Sequence, residues 1–456
     1  MERKGRIRPA EVPAEIRKNN FEPFLSVYTE EEAVSEASRC FKCPKPRCSE
    51  GCPIHNRIPE VMKAVESRDF AKAYAVLSDN TVFPAICGTV CPHEDQCEGS
   101  CISGIKGEPL AIGSVERFVA EWAEENGLTV CERPQPNGKK AVCIGAGPAS
   151  MACAEVLAGK GWEVTILEKE DFFGGVLAWG IPSYRLARKT IEAKQKLLES
   201  LGVRIQYNTK AVSLDQLRKD YDAVFLGTGA TVSNVMRIPG EDLEGVYPAP
   251  VYLSAINLSP VKEDGRRHFE GSGKKVLVVG GGNVAMDAAR DAVRLPQSEE
   301  VHIVYRRSEQ EMPACTAELN DAKAEDVQFH TLVNPVEFIG ENGHVRQAVC
   351  AIMTLGEPDA SGRRRPVQTD ERITIDVDTV VLALGFSNDP EIAEANEGLE
   401  ADKWGCFKVD ENYHTSYDNV WAGGDCESGA STVVKAMKAG ITAAKDIEDK
   451  RQKKEI

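Results

Sequence analysis

No stretch of 18 or more apolar residues occurs in this 456-residue chain, so it lacks the minimum for a membrane-spanning helix. Residues 1–10 (MERKGRIRPA) lack the apolar core of a secretory signal. A cytoplasmic protein with no membrane partner is therefore expected. An excess of cations is also missing. Against 55 Lys and Arg stand 71 Asp and Glu, a net charge of −16, and such a chain is poorly suited to general binding of nucleic-acid phosphates. A composition of 42% hydrophobic and 28% charged residues is that of a globular protein and excludes wholesale disorder. At roughly 100–200 residues per domain, the length predicts two to four domains.

Cysteine, by contrast, is abundant. The fifteen residues point away from disulfides, in an intracellular setting, and toward metal or redox chemistry. Eight of them lie in two sets. The first reads Cys40-x2-Cys43-x4-Cys48-x3-Cys52-Pro53, and the second Cys87-x3-Cys91-Pro92-x4-Cys97-x3-Cys101. Soft thiolates suit iron–sulfur cubanes, and a tight run of this kind wraps three corners of a cage from one loop. The fourth ligand then comes from farther along the chain. Structural zinc is the alternative, but its sites usually show two CxxC knuckles, and only Cys40–Cys43 has that form here. Iron–sulfur is the favoured reading. Cys131, Cys143, Cys153, Cys315, Cys350, Cys406 and Cys426 are scattered; Cys143 and Cys153 fall in a strand and a helix pattern, where buried inert thiols are expected.

Around the cysteines the texture is helical. VMKAVESRDFAKAYAVL (61–77) and GSVERFVAEWAEE (113–125) place apolar residues at three- and four-residue spacing. ERPQPNGKK (132–140) reads as a linker. Residues 1–20, with six Lys or Arg, read as a solvated arm. Beyond the linker the pattern becomes β-α alternation, with AVCIGAG, WEVTILEK, KVLVVGGG and EEVHIVYRR as strand ends, and with DAVFLGTG and DTVVLALG later. A repeated α/β nucleotide-binding architecture follows.

Two dinucleotide fingerprints stand in this pattern. Gly145-Ala146-Gly147-Pro148-Ala149-Ser150 follows a strand and opens a helix, and Glu168 ends the next strand, where an acid accepts ribose hydroxyls. Gly280-Gly281-Gly282-Asn283-Val284-Ala285 is the second, but its next strand ends in Arg306-Arg307, which suits the 2′-phosphate of NADP(H) instead. Near the C-terminus, Gly423-Gly424 permit close ligand approach and Asp425 offers an acceptor to flavin ribitol or diphosphate-side groups. A helix beginning near Ser431 aims its positive end at the flavin.

Taken in order, the fingerprint, GTG turn, second fingerprint, ALG turn and terminal AGGD resemble two-dinucleotide flavoproteins of the thioredoxin reductase type. With the cysteine module in front, and with EASRCFKC, EGCPIHNRIP, VCPHEDQCEGSC, GGVLAWGIPSYRL and YRRSEQEMPA, residues 21–447 resemble the small (beta) subunit of NADPH-dependent glutamate synthase. The same architecture is similar to the large subunit of electron-bifurcating NADH-dependent ferredoxin:NADP oxidoreductase and to the N-terminal half of dihydropyrimidine dehydrogenase. The resemblance implies an α/β chain, an all-α iron–sulfur domain (1–131) followed by an FAD domain (132–250 and 378–456) with an NADPH domain (251–377) inserted in it.

It further implies two [4Fe-4S] clusters, one on Cys40, Cys43, Cys48 and Cys101 and one on Cys52, Cys91, Cys97 and Glu116, with Cys87 spare. FAD contacts would be Gly145, Gly147, Pro148, Ala149, Glu168, Gly174, Gly175, Leu177, Thr228, Gly424, Asp425 and Thr432. NADPH contacts would be Gly280, Gly282, Asn283, Val284, Arg306, Arg307 and Gly385, and Arg185 would be a cation tuning the flavin. The implied role is electron input from NADPH to a partner, either the large glutamate synthase subunit or another electron-accepting subunit, with ferredoxin an indirect partner in the bifurcating alternative.

Overall fold

A computed structural model of the chain describes residues 5–129, 132–360 and 362–453. Cys131 and the first four residues, Arg3 and Lys4 among them, lie outside these. The cysteine-rich module is built from α1 (Glu30–Ala37), α2 (Ile58–Glu66), α3 (Phe70–Ser78), α4 (Pro84–Val90) and α5 (Ile112–Glu125). Thr29 and Glu32 form a reciprocal capping box that starts α1. The periodic stretch 61–77 divides into two helices because Arg68 takes a left-handed conformation and Asp69 then caps α3 through the Lys72 N–H at 3.1 Å. Phe70 meets the rings of Phe118 and Trp122 edge-on, at 5.1 and 5.3 Å, which seats α3 on α5.

The chain then runs through β1 (Lys140–Ile144), α6 (Pro148–Ala158), β2 (Glu163–Leu167), α7 (Arg188–Ser200), β3 (Arg204–Gln206) and β4 (Ala223–Leu226). Next come β5 (Val246–Pro248), α8 (Ala249–Asn257), β6 (Lys275–Val279), α9 (Asn283–Arg294), β7 (Glu300–Tyr305), α10 (Thr316–Ala324) and β8 (Gln328–Thr331). An antiparallel sheet follows, of β9 (Val333–Glu341), β10 (His344–Pro358) and β11 (Arg364–Asp376), before β12 (Thr379–Leu382), β13 (Val420–Ala422) and the final helix α11 (Val433–Gln452). Two five-stranded sheets result, ordered β13-β4-β1-β2-β3 and β5-β12-β6-β7-β8, and every pair in them is parallel. Their apolar strands are buried on both faces by the flanking helices, as parallel sheets require. The α/β class and the pair of dinucleotide-binding folds behind a helical module are as expected.

Sheet pairing moves the expected domain limits. Val246 pairs with Val380, and Thr379 with Val276, so β5 and β12 both belong to the second sheet although they fall outside 251–377. The chain crosses between the sheets near the short ladder of Val232–Ser233 with Phe386–Ser387 instead. The fully buried TVVL run of β12 explains this, since it needs neighbours on both sides and finds them in β5 and β6.

The N-terminal arm is a second correction. From residue 5 onward it is docked, not solvated. Arg6 pairs with Glu98 at 2.7 Å, Glu11 bridges Leu25, and Arg17, only 2% exposed, pairs with Asp321 and Glu325, each at 2.8 Å. Phe21 and Phe24 then pack on Tyr184, and Ser183 Oγ donates to the Phe21 carbonyl at 3.0 Å. The four described cations of the arm, Arg6, Arg8, Arg17 and Lys18, all pair with acids, and each has a partner outside the arm. Among the described residues, no helix is long and apolar enough to cross a membrane.

Candidate functional site

The first cysteine set converges. Cys40, Cys43, Cys48 and Cys101 line one small cavity with Phe41, Arg47, Ile58 and Ile112. Burial, reinforced by the neighbouring sulfurs, raises the Cys40 thiol and pushes Cys48 up to about 11. Four convergent sulfurs of this kind, as thiolates, are compensated only by a shared cation, and the donor set fits an iron–sulfur cage.

The second gathering comprises Cys52, Cys91, Cys97 and Glu116, with Cys87 against them. Burial raises the Cys52 and Cys97 thiols, and both also feel the charge of Glu116. Glu116 is 6% exposed and pushed up to about 7 by that burial; Asn56 Nδ2 donates to it at 3.4 Å. Cys91 hydrogen-bonds to Cys87, which is the first cause of its raised pKa. A carboxylate buried among thiols with one weak hydrogen bond is poorly compensated unless a metal meets it, so this site also fits a cluster. The geometry keeps Cys87 against the group, whereas the family resemblance leaves it spare.

The two gatherings differ in depth. Phe83, Ile86 and Cys87 join the core around β1, α6 and α11, with Cys91 packed against it. Thr81 Oγ1 donates to Met437 Sδ at 3.3 Å, tying the same region to α11. Cys40, Cys48 and Cys101 pack on the core of the helical module, to which Cys52 and Cys97 of the second gathering also belong. One site abuts the first dinucleotide fold, and the other lies beyond it.

At the first fingerprint, Gly145 has φ +91°, and a Cβ there would come within 2.7 Å of the Gly227 carbonyl oxygen. Gly147 caps α6, which starts at Pro148 and Ala149. Both Glu168 oxygens accept backbone N–H groups, from Ala146 at 2.7 Å and Glu170 at 2.9 Å, which fixes the acid beside the turn. Gly175 approaches this turn so closely that a Cβ would lie 3.1 Å from Gly147 Cα, and Gly174 and the buried Leu177 hold that loop by an N–H···O bond of 3.1 Å. Thr228 follows Gly227 at the end of β4.

Across from them, a Cβ on Gly424 would sit 3.0 Å from Ala149. Burial lifts Asp425 to about 6, although the Ser431 N–H donates to it at 3.1 Å. Thr432 is the residue capping α11, and its buried Oγ1 has no partner within the protein. A cradle of close backbone, an orphaned hydroxyl at a helix N-terminus and a half-buried acid fit FAD.

At the second fingerprint, Gly280 has φ +150°, and a Cβ would strike the Ala383 carbonyl oxygen at 2.4 Å. Gly282 caps α9, whose first residues are Asn283 and the half-buried Val284. Gly385 lies beyond β12, with its carbonyl accepting from Asn234 at 3.2 Å. The turn is covered by a segment to which sequence reasoning assigned no role. Asn283 Oδ1 accepts the Cys315 N–H at 2.8 Å, the Ala314 N–H donates to Gly281 at 3.1 Å, and Pro313 stands over Gly282. The motif EMPAC, separated by three residues from the two arginines, is the signal that marks it.

The two arginines divide. Arg306 is exposed, whereas Arg307 is 6% exposed and already paired, with Asp359 at 2.6 Å and the Arg364 carbonyl at 2.8 Å. Both face a cavity shared with the ends of β10 and β11. This basic, half-covered niche beside a glycine turn fits a phosphorylated nucleotide. Arg185 is not a free cation. Its guanidinium is held by both oxygens of Asp287, at 2.7 and 2.8 Å, and by Glu318 at 2.8 Å.

Residues 17–128 match the family described as "Dihydroprymidine dehydrogenase domain II, 4Fe-4S cluster", and residues 139–440 match "Pyridine nucleotide-disulphide oxidoreductase". The chain is 40% identical over 430 residues to the beta subunit of NADP(+)-dependent formate dehydrogenase from Moorella thermoacetica, covering 88% of this chain and 59% of that one. It is 36% identical over 462 residues to the glutamate synthase [NADPH] small chain of Escherichia coli, covering 97% of this chain and 96% of the relative. Among solved structures, Mycobacterium tuberculosis FprA in complex with NADPH aligns with a TM-score of 0.57 at 20% identity, over 70% of this chain and 86% of that one. Lactococcus lactis thioredoxin reductase aligns with a TM-score of 0.53 at 20% identity, over 68% and 98%.

Fold and site together define a two-dinucleotide oxidoreductase carrying an iron–sulfur module. Its cofactors are FAD, NADP(H) and [4Fe-4S] clusters. The chain belongs to the pyridine nucleotide-disulphide oxidoreductase family, in the group that includes the small chain of NADPH glutamate synthase. It spans about three fifths of the formate dehydrogenase subunit and nearly all of the synthase small chain.

Proposed function

We propose that this chain is the electron-input subunit of a larger redox enzyme, drawing on NADPH and delivering electrons to a partner subunit of the glutamate synthase type. The observation that carries this reading is the packing of the cysteine module on the first dinucleotide fold. Cys87 joins the core around β1, α6 and α11 with Cys91 packed against it, while the half-buried Cys40, Cys48 and Cys101 sit on the helical module's own core. When bound, FAD converts two-electron to one-electron chemistry and the clusters relay single electrons.

In this reading Cys40, Cys43, Cys48 and Cys101 hold the outer cluster, and Cys52, Cys91, Cys97 and Glu116 the inner one. Gly145, Gly147, Glu168, Gly175, Asp425 and Thr432 seat FAD, while Gly280, Gly282, Asn283, Arg306 and Arg307 seat NADPH. Arg185 orders the junction between the sheets by clamping Asp287 of α9 and Glu318 of α10. No proton-transferring triad is required, because the protein's task is to bind, orient and exclude water.

Relatives of similar sequence are subunits of different enzymes, formate dehydrogenase among them, so the partner decides the final acceptor. The isolated holoprotein should reduce ferricyanide or a tetrazolium dye with NADPH yet form no glutamate from glutamine and 2-oxoglutarate. Addition of the large synthase subunit should restore glutamate formation. Glutamate made at catalytic rates without a partner would refute the input-subunit reading, and failure of the large subunit to couple would assign a different partner.

A further inference from the structure

Three consecutive arginines, Arg363, Arg364 and Arg365, stand at the start of β11, in the antiparallel sheet and outside both five-stranded sheets. The hairpin that carries them is fastened to the second dinucleotide fold. Arg307 donates from Nε to the Arg364 carbonyl at 2.8 Å and from Nη2 to Asp359 at 2.6 Å. Arg364 Nε in turn donates to Glu311 at 2.5 Å, in the segment that covers the second glycine turn. Two guanidiniums at this corner are thereby engaged, Arg307 on Asp359 and Arg364 on Glu311. Arg365 is not. It is exposed, forms no ion pair among the described residues, and lines the same cavity as Arg306 and Arg307.

The ladder accounts for its direction. Leu355 pairs with Pro366 and Pro358 with Arg364, so Gly356 and Glu357 together oppose Arg365 alone. A bulge of this kind re-aims the side chains beside it, and bulges recur next to binding sites for that reason. Here both of its sides, Gly356 and Glu357 on β10 and Arg365 on β11, line the cavity. Five charged residues stand in that lining: Arg306, Arg307, Glu357, Asp359 and Arg365. Asp359 offsets Arg307, which leaves Arg306 and Arg365 against the one exposed acid Glu357. The balance is positive, and guanidiniums bind phosphate oxygens in a fixed fork.

We propose that Arg365 is a specificity-determining residue for NADPH, meeting the 2′-phosphate together with Arg306. The proposal rests on the reading that this niche receives the 2′-phosphate. It makes the choice of nucleotide depend on the antiparallel hairpin as well as on the dinucleotide fold.

The test uses the oxidised holoprotein and titration calorimetry with two probes, 2′,5′-ADP and 5′-AMP, which differ only by the 2′-phosphate. Arg365→Ala should weaken 2′,5′-ADP about tenfold and leave 5′-AMP unchanged. Arg365→Lys keeps the charge without the fork and should recover part of that loss. Glu357→Gln should tighten 2′,5′-ADP by a few-fold. In flavin reduction, KM for NADPH should rise in Arg365→Ala by the factor seen in binding while kcat holds. The thermal midpoint should stay at the wild-type value, because the side chain is exposed and unpaired.

Arg365→Ala that weakens both probes alike, or neither, would overturn the proposal. The underlying reading fails in a different way, by wild-type protein binding the two probes equally. A wild-type preference for 2′,5′-ADP that falls in Arg306→Ala and survives in Arg365→Ala would keep the reading and remove Arg365 from it.

Discussion

Arg306 and Arg307 occupy neighbouring positions at the end of β7, and their surroundings assign them different consequences on mutation. Arg306 is exposed, so Arg306→Ala removes a guanidinium while disturbing little packing. A charge-assisted contact to a 2′-phosphate contributes roughly 1.5–3 kcal/mol, which makes the expected rise in KM for NADPH about ten- to a hundredfold, with NADH unaffected. Arg307 is half neutralised by Asp359 and also ties down the Arg364 carbonyl at 2.8 Å. Arg307→Ala should therefore loosen the ends of β10 and β11 as well as weaken NADPH, and so lower thermal stability where Arg306→Ala does not. Asp359→Asn keeps the shape of the pair but returns the full charge of Arg307 to the niche, so it should tighten NADPH by a few-fold. Stopped-flow flavin reduction with both nucleotides, across the three variants, reads all of these effects. Equal losses for NADPH and NADH in Arg306→Ala would refute the assignment of this niche to the 2′-phosphate.

The cluster ligands can be checked by iron analysis: Cys101→Ala should lose one cluster of the two, and Cys87→Ser should keep about eight irons. Iron lost from Cys87→Ser would make Cys87, which lies against Cys91, the ligand in place of Glu116. Asp291 is fully buried with neither carboxylate oxygen hydrogen-bonded, and burial lifts it to about 8 despite Arg294, Arg267 and Arg188 nearby; Asp287 adds to the rise. Because its folded pKa lies above its unfolded one, the native state keeps a proton the unfolded state has lost, and this group lowers stability as pH rises from about 4 toward 8, by about 2 kcal/mol between pH 6 and pH 8. Urea unfolding of Asp291→Asn should show an advantage over wild type that grows across that range, and an advantage independent of pH would show that the carboxyl is not protonated in the native state.

What the sequence disclosed was what local chemistry dictates. A glycine turn between an apolar strand and a helix needs close backbone approach wherever it occurs, so both fingerprints were visible at Gly145 and Gly280. Two cysteine runs announced metal for the same reason. The parts that stayed hidden are those fixed by contacts distant in sequence. The TVVL run of β12 reads equally well as a strand of either sheet, and only its pairing with Val276 and Val246 decides the matter. The antiparallel sheet of β9 to β11 carries few periodic apolar positions on its outer strand, so nothing local marked Asp359 as the partner of Arg307. That Arg185, expected as a cation tuning the flavin, is paired could not be read locally, because its acids, Asp287 and Glu318, come more than a hundred residues later.

The same distance effect hid the way the modules are held together. Glu325 is fully buried; burial would raise its carboxyl, but hydrogen bonds from Arg294 and Arg290 outweigh that and hold it at about 2. Arg17 adds a third guanidinium, with Nε 2.8 Å from Oε1. That contact brings the N-terminal arm onto α9 and α10, the helices beside the nucleotide turn. The arm's other end meets Glu98 of the cysteine module through Arg6, and just past the arm Phe21 and Phe24 pack against Tyr184, which precedes α7 of the first fold. Glu94 of the cysteine module in turn accepts the backbone N–H of Thr316, at the start of α10. Electron relay demands that donor and acceptor sites keep their separations, and a chain of three modules joined only by linkers would not supply that. Ionic contacts buried at the joints are costly to break one partner at a time, at about 3–5 kcal/mol each, because a lone buried charge is left behind. The arm thus converts charges that read as a solvated tail into a fastening across the cysteine module and both dinucleotide folds.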